Sequence, residues 1–399
     1  MPTPLPRAWF VFLAASTLSQ LGDSVLWFGL GWAAASHGGQ VAALVLTASG
    51  LPRLLLVLVG GSVADRVGAR RLLLCTESVM VAVCLALAVG LHTSGPVAWL
   101  LAAAGVASGV VSAFSLPALG SMPRRLVDDA ALPHAMALRQ GLGQAVLLAG
   151  APLGGILVVA VGLPVVAAAD AVCFAALLVV LAVIRPGRRV DPAVGSFWGS
   201  LSDGARVVRR TRGLAGALVL TGAVAAVVLP VSSLLVPLLG RASGWDAGTT
   251  GVVVGTQAAG AIGAALVVAR TGTARRTGQA VALGLVAAAG GVALVASGGE
   301  GPMVLTACVA TMIGAGTGVA VAHLGPFVLG SAPRTHLARV QAWTALAQLA
   351  PVVVSNNLLG TLAEHVSPSA ALYCCAASLG TCAVAATRLR TAASGPASP

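Results

Sequence analysis

Charge is the scarcest property of this sequence. Only 9% of its 399 residues are Asp, Glu, Lys or Arg, against 58% hydrophobic residues, 50 glycines and a mean hydropathy of +0.97. No water-soluble core of this length needs such an apolar excess, so most of the chain must face lipid. Lysine is absent; the 23 basic residues are all arginine, which reflects genome composition rather than chemistry. Aromatic residues make up 4%, with Tyr373 the single tyrosine, too few to outline a recognisable drug pocket. The net charge of +12 would suit nucleic acid, but the arginines stand in twos and threes between hydrophobic spans with little aromatic interleaving, which sets that partner aside. Cys75, Cys84, Cys173, Cys308, Cys374, Cys375 and Cys382 fall within or at the edges of apolar spans without metal-type spacing. They read as packing residues, with no metal or cofactor expected. The six histidines are scattered and no H-E-x-x-H or paired-acid motif occurs, which counts against a membrane-embedded enzyme acting on lipid or quinone.

What is present is a series of apolar stretches of about 20 residues, the length that crosses a bilayer as a helix. They run over 9–35, 40–63, 72–91, 97–119, 138–161, 164–184, 214–239, 247–269, 278–297, 302–328, 339–360 and 368–387. The first, with Arg7 before it, resembles a secretory leader at its edges, but it is too long and carries Asp23, so it reads as a spanning helix. Twelve spans put both termini on one side. Arg66/Arg70/Arg71, Arg124/Arg125, Arg185 to Arg212, Arg270/Arg275/Arg276, Arg334/Arg339 and Arg388/Arg390 share the face of Arg7, while Arg241 stands almost alone opposite. The positive-inside rule makes the arginine-rich face cytoplasmic, and the expected location is the cell (plasma or inner) membrane.

One long loop divides the spans six and six: an N-terminal bundle over 1–184, a linker over 185–213 and a C-terminal bundle over 214–399. In the linker, Phe197-Trp198 to Arg209-Arg210 mixes apolar and basic residues at helical spacing and is expected to lie on the membrane surface. The halves repeat each other. Leu119-Gly120-Ser121-Met122-Pro123-Arg124 after the fourth span returns as Leu329-Gly330-Ser331-Ala332-Pro333-Arg334 after the tenth, and Arg66-Val67-Gly68-Ala69-Arg70-Arg71 has a weaker echo over Arg270 to Arg276. Such duplicated halves form an all-α membrane fold of two pseudo-symmetric six-helix bundles.

The loop after the second span, Gly61-Ser62-Val63-Ala64-Asp65-Arg66-Val67-Gly68-Ala69-Arg70-Arg71, resembles the signature G-x-L-A-D-R-x-G-R-[KR] of the major facilitator superfamily, departing at Val63 and Ala69. In that family the loop works as a latch, which implies this role for Gly61, Asp65, Arg66, Gly68, Arg70 and Arg71. Leu21-Gly22-Asp23, Leu51-Pro52-Arg53-Leu54-Leu55 and Asp170-Ala171-Val172-Cys173-Phe174 are similar to the drug:proton antiporter branch that includes macrolide and enterobactin exporters. Gly150-Ala151-Pro152-Leu153-Gly154-Gly155 resembles the antiporter motif G-P-x-x-G-G with its proline one place late. Gly150, Pro152, Gly154 and Gly155 therefore carry two readings, antiport or close helix packing.

A charge at the bilayer centre costs about 2.5–3.5 kcal/mol on insertion scales, so each one there needs a partner or a task. Asp23, Arg53, Glu77 and Asp170 are the proton-coupling candidates. Asp23, near mid-span, is the first choice for a carboxylate whose protonation alternates with the side the cavity faces; the alternative is a fixed ion pair with Arg53. Glu77, close to the latch, reads as structural, and Asp170 as an interhelical hydrogen-bonding group. Arg139 could draw anionic groups but is expected to snorkel to the interface, and His323, whose ordinary pKa suits a proton relay, is expected to serve a helix end. Gln20, Gln144, Ser232, Ser233, Gln257, Gln348, Asn356 and Asn357 are candidates for lining a cavity or for bonding helix to helix. The resemblance implies a secondary transporter, not an enzyme, whose partners are the lipid bilayer, protons and a small-molecule substrate: a largely apolar compound such as a drug, antibiotic or siderophore-like metabolite, exported by proton antiport and alternating access. An uptake symporter of the same fold is the alternative, ahead of a membrane-embedded enzyme or a sensor.

Overall fold

Apolar runs of this length have one way to satisfy their backbone in lipid without an edge, the α-helix. The computed structural model describes residues 5–128, 130–184, 206, 208–209, 211, 213–297, 303–331 and 337–389, apart from the side chains of residues 58, 65 and 337–339. Every long element among them is a helix. In chain order they are α1 (Arg7–Ala35), α2 (Gly39–Val67), α3 (Ala69–Ser94), α4 (Ala98–Leu126), α5 (Leu132–Val161), α6 (Leu163–Val183), α7 (Leu214–Ala242), α8 (Ala247–Thr271), α9 (Thr277–Ser297), α10 (Met303–Ser331), α11 (Leu337–His365) and α12 (Pro368–Thr387). Eleven are long and apolar enough to cross a membrane; α1 is the exception. Its 29 residues are enough, at about 1.5 Å each, to span a bilayer, but Ser16, Thr17, Ser19, Gln20 and Asp23 dilute its hydropathy. The surface helix expected over Phe197 to Arg210 falls almost wholly outside the described residues, as do Ala332-Pro333-Arg334 of the repeat.

The turns are cut where the sequence forces them. Gly68, at φ +93°, ends α2 and starts α3 in a conformation that a side chain resists, and α6 follows α5 through Gly162 at φ +81° with Pro164 pre-set for its first turn. Midway along α7, Pro230 removes a backbone donor, and the ladder slips into a π turn over Val231–Leu235, which carries Ser232 and Ser233.

The helices sort into two compact units. The first comprises Met1–Val194 with Trp245–Gly255, the second Gly195–Gly244 with Thr256–Pro399. In the first, Trp9, Phe12 and Leu13 of α1 pack with Leu73 of α3, Met122 of α4 and Leu177 and Leu181 of α6 into a buried cluster at the arginine-rich end. Lipid is as apolar as these side chains, so close fit rather than hydrophobic transfer must hold the helices together. Glycine supplies that fit at matching places. Gly105 and Gly109 of α4 bring it against the carbonyls of Val45 and Ser49 on α2, and in the second unit Gly314 and Gly318 of α10 meet the carbonyls of Gln257 and Ala261 on α8. Each is a G-x-x-x-G spacing, the pattern that lets two helix backbones touch.

Candidate functional site

In the first unit a cavity of about 90 Å³ opens between Ser16, Gln20 and Asp23 of α1, Glu77 of α3, Ser112 and Ser115 of α4 and Phe174 of α6. Helical spacing places these groups together. Ser16, Gln20 and Asp23 recur every three or four residues along one face of α1, as do Ser112 and Ser115 on α4. Asp23 accepts a hydrogen bond from the side chain of Trp27, one turn on, and lies in the field of Arg53 on α2. Gln20 donates to the carbonyl of Ser16 at 2.9 Å, which leaves its own carbonyl as an acceptor.

The expected geography changes at Glu77. Its position near the start of α3 suggested the latch as its surroundings, whereas it is 2% exposed, lines the same cavity as Asp23, and has its Oε2 buried without a hydrogen bond. Asp170 on α6 is 1% exposed and accepts from the thiol of Cys84 on α3 at 3.6 Å, an interhelical hydrogen bond; its Oδ1 is also buried without one. Its carboxylate presses against Gly22 so closely that a side chain there would collide with it. Asp23, Glu77 and Asp170 sense one another's charge, and Arg53 is the nearby cation. Among the described residues here, three carboxylic acids stand near one guanidinium.

The latch residues do separate work. The Nε of Arg70 donates to the carbonyls of Leu181 at 2.8 Å and Ile184 at 3.0 Å, and its Nη2 donates to Ala182 at 2.8 Å. One side chain from the start of α3 thus caps the exposed carbonyls at the end of α6, where a cation also suits the helix dipole. Gly68 makes the turn; Gly61 has open space around it, Arg66 and Arg71 are exposed, and the side chain of Asp65 lies outside the described residues. The four residues of the antiporter-like motif are packing positions on α5: Gly150 admits Ser24 and Gly154 admits Val25 and Phe28 of α1, while Gly155 and Pro152 meet Ala247 and Gly255 at the start of α8. Arg139 reaches the carbonyl of Leu119 at 3.4 Å.

The second unit holds a larger cavity of about 430 Å³ between α7, α10 and α11. Its walls are mostly aliphatic, among them Val224, Val228, Val321 and Leu324, with Gln341 and Gln348 as its carboxamides and no charged side chain. Of the eight polar cavity candidates, Gln20 lines the first cavity and Gln348 the second. Gln144 is half-buried on α5 and lines neither; Ser232 and Ser233 bond back to Val228 and Leu229 of their own helix. Gln257 and Asn356 are buried, Asn356 with its carbonyl oxygen unbonded, and Asn357 donates to Val353 at 2.8 Å. Thr221 on α7, Thr317 on α10 and Gln341 and Thr344 on α11 join the second cavity without having been expected there; for Gln341 and Thr344 the i, i+3 and i+7 recurrence with Gln348 was the available signal.

The model of the Major Facilitator Superfamily matches residues 12–355. No curated protein matches the chain. Among solved structures, a mutant form of the nucleoside transporter NupG is 12% identical, with a TM-score of 0.78, covering 96% of this chain and 100% of that one. A bacterial homologue of the iron transporter ferroportin in an inward-facing state is 16% identical, with a TM-score of 0.77 over 97% and 99% of the two chains. A POT family transporter in complex with a thioalcohol-conjugated peptide is 14% identical, with a TM-score of 0.75 over 95% of each. At such identities the likeness speaks for the fold, and with the family match it establishes that this chain is a multi-pass membrane transporter of the major facilitator superfamily.

Proposed function

We propose that this transporter exports a small, largely apolar organic compound in exchange for protons, with its arginine-rich face and both termini in the cytoplasm. The observation that carries this reading is the division of chemistry between the two cavities. Protonatable carboxylates gather in the first unit, whereas the larger cavity in the second is aliphatic, uncharged and edged by two carboxamides and three threonines. Such a lining favours a neutral lipophilic molecule with a few hydrogen-bonding groups over a phosphate or a sugar acid. The direction rests on the likeness of Leu21-Gly22-Asp23 and its companion segments to drug:proton antiporters. A membrane potential of 100 mV supplies about 2.3 kcal/mol per charge moved, enough to concentrate a neutral substrate roughly fifty-fold per proton.

The test is proton movement in proteoliposomes under an imposed pH gradient while a panel of neutral lipophilic compounds is added, for the wild type, Asp23→Asn and Gln348→Ala. Compound-evoked proton flux in the wild type, abolished by Asp23→Asn and weakened by Gln348→Ala, is the expected result. Flux of compound and proton in the same direction would replace export with uptake symport. An Asp23→Asn variant that transports and couples like the wild type would move the coupling role away from Asp23.

A further inference from the structure

His323 sits on α10, 4% exposed, toward the end of the helix that precedes the second copy of the repeat. Its Nε2 lies 3.1 Å from the backbone nitrogen of Ala274, which donates to it, and its Nδ1 lies 2.8 Å from the carbonyl oxygen of Val319. A backbone N–H only donates and a carbonyl only accepts. Both contacts are therefore made at once by a single species, the neutral imidazole with its proton on Nδ1. Ala274 belongs to the connection over 272–276 that joins α8 to α9, so the imidazole ties this connection to α10.

We infer that His323 is a protonation-gated tether, holding the α8–α9 connection to α10 while neutral and releasing it when Nε2 binds a proton. Protonation turns the acceptor into a second donor aimed at the Ala274 N–H, which must then find its partner in water. Arg270 on α8 and Arg275 and Arg276 in the connection are the charged groups of the adjoining segments; α9 has no ionisable residue, and Cys308 is the other ionisable group on α10. On the flanking helices α7 contributes Arg241, and α11 contributes Arg339, Glu364 and His365, the last two at its far end. No carboxylate occurs on the described residues of α8, α9 or α10.

Among the described residues of the first unit the equivalent place is built differently. The repeat that aligns Leu119 with Leu329 puts Ala113 opposite His323, fully buried with its carbonyl against Gly60. There the corresponding connection is held by Arg70 on the end of α6, a guanidinium that stays charged at any physiological pH. One half of the molecule thus has a permanent tie and the other a titratable one.

Hydrogen–deuterium exchange of the 272–276 segment in the full-length protein tests the tether without any knowledge of the substrate. Wild type, His323→Gln and His323→Ala are compared at each pH between about 5 and 8, the range in which histidine changes charge, so that intrinsic exchange cancels in the ratios. His323→Ala is expected to exchange about fivefold faster than the wild type at the upper limit, the factor corresponding to one hydrogen bond of about 1 kcal/mol. The wild type should approach the His323→Ala level as pH falls, while His323→Gln, which keeps an acceptor but cannot titrate, should keep a constant ratio to His323→Ala. A wild-type ratio to His323→Ala that is the same at every pH overturns the gating, and equal exchange in His323→Ala and wild type at the upper limit overturns the tether itself.

Discussion

Arg70 shows how much a single side chain settles in this chain. Its three donated hydrogen bonds occupy carbonyls at the end of α6 that have no partner in their own helix. Arg70→Ala should lower stability by about 1.5 kcal/mol, the low end for charged hydrogen bonds because the guanidinium is partly exposed, and Arg70→Lys should recover only part of it because an ammonium lacks the fork. Thermal unfolding in detergent measures both. Gly22 makes a second case: a methyl group there would run into the carboxylate of Asp170, so Gly22→Ala should displace that carboxylate and break the Cys84–Asp170 hydrogen bond. The readout is faster modification of Cys84 by a thiol reagent. The motifs around both residues were legible in the sequence. That Arg70 serves α6, more than a hundred residues away, was not, because nothing local records which helix end will lie beside it.

At the scale of helices, packing rather than burial carries the energy. Gly314 brings α10 so close to the backbone of Gln257 that no side chain fits, whereas Gly290 on α9 faces open space. Gly314→Ala should therefore destabilise by about 1–3 kcal/mol through overpacking, and Gly290→Ala should be neutral or stabilising by up to about 1 kcal/mol through helix propensity. The difference in unfolding midpoint between these two chemically identical changes is the test. Helix α8 depends on its cap: the carboxylate of Asp246 accepts from the N–H of Thr249 at 2.6 Å, and this bond holds its pKa below the ordinary value. The sign follows from linkage. A carboxyl with a depressed folded-state pKa stabilises fully above the unfolded value of about 3.9 and loses that contribution as pH falls through the folded one. Asp246→Ala should accordingly cost up to about 1 kcal/mol at neutral pH and progressively less in acid, read from unfolding midpoints against pH. Helix existence could be read from hydropathy alone; α1 falls short of the other eleven in hydropathy because its polar residues face a cavity rather than lipid.

At the scale of the whole molecule, the side chains make the two units unlike in chemistry. With the proposed topology, cytoplasmic-type reporter enzymes fused to either terminus should be active; a periplasmic-type reporter active at one end would mean an odd number of crossings and overturn the topology. A membrane protein of about twelve helices was legible from the sequence alone, because the cost of exposing backbone and charge to lipid dictates length, composition and arginine bias along the chain. Which polar groups meet depends instead on how the helices pack. Glu77 shares a cavity with Asp23, Gln348 shares another with Gln341, and His323 reaches Ala274, since each pairing depends on the rotation and close approach of helices far apart in sequence. Rotation about a helix axis leaves no mark on hydropathy when lipid and protein neighbour are equally apolar, and it is fixed instead by where glycine lets one backbone touch another.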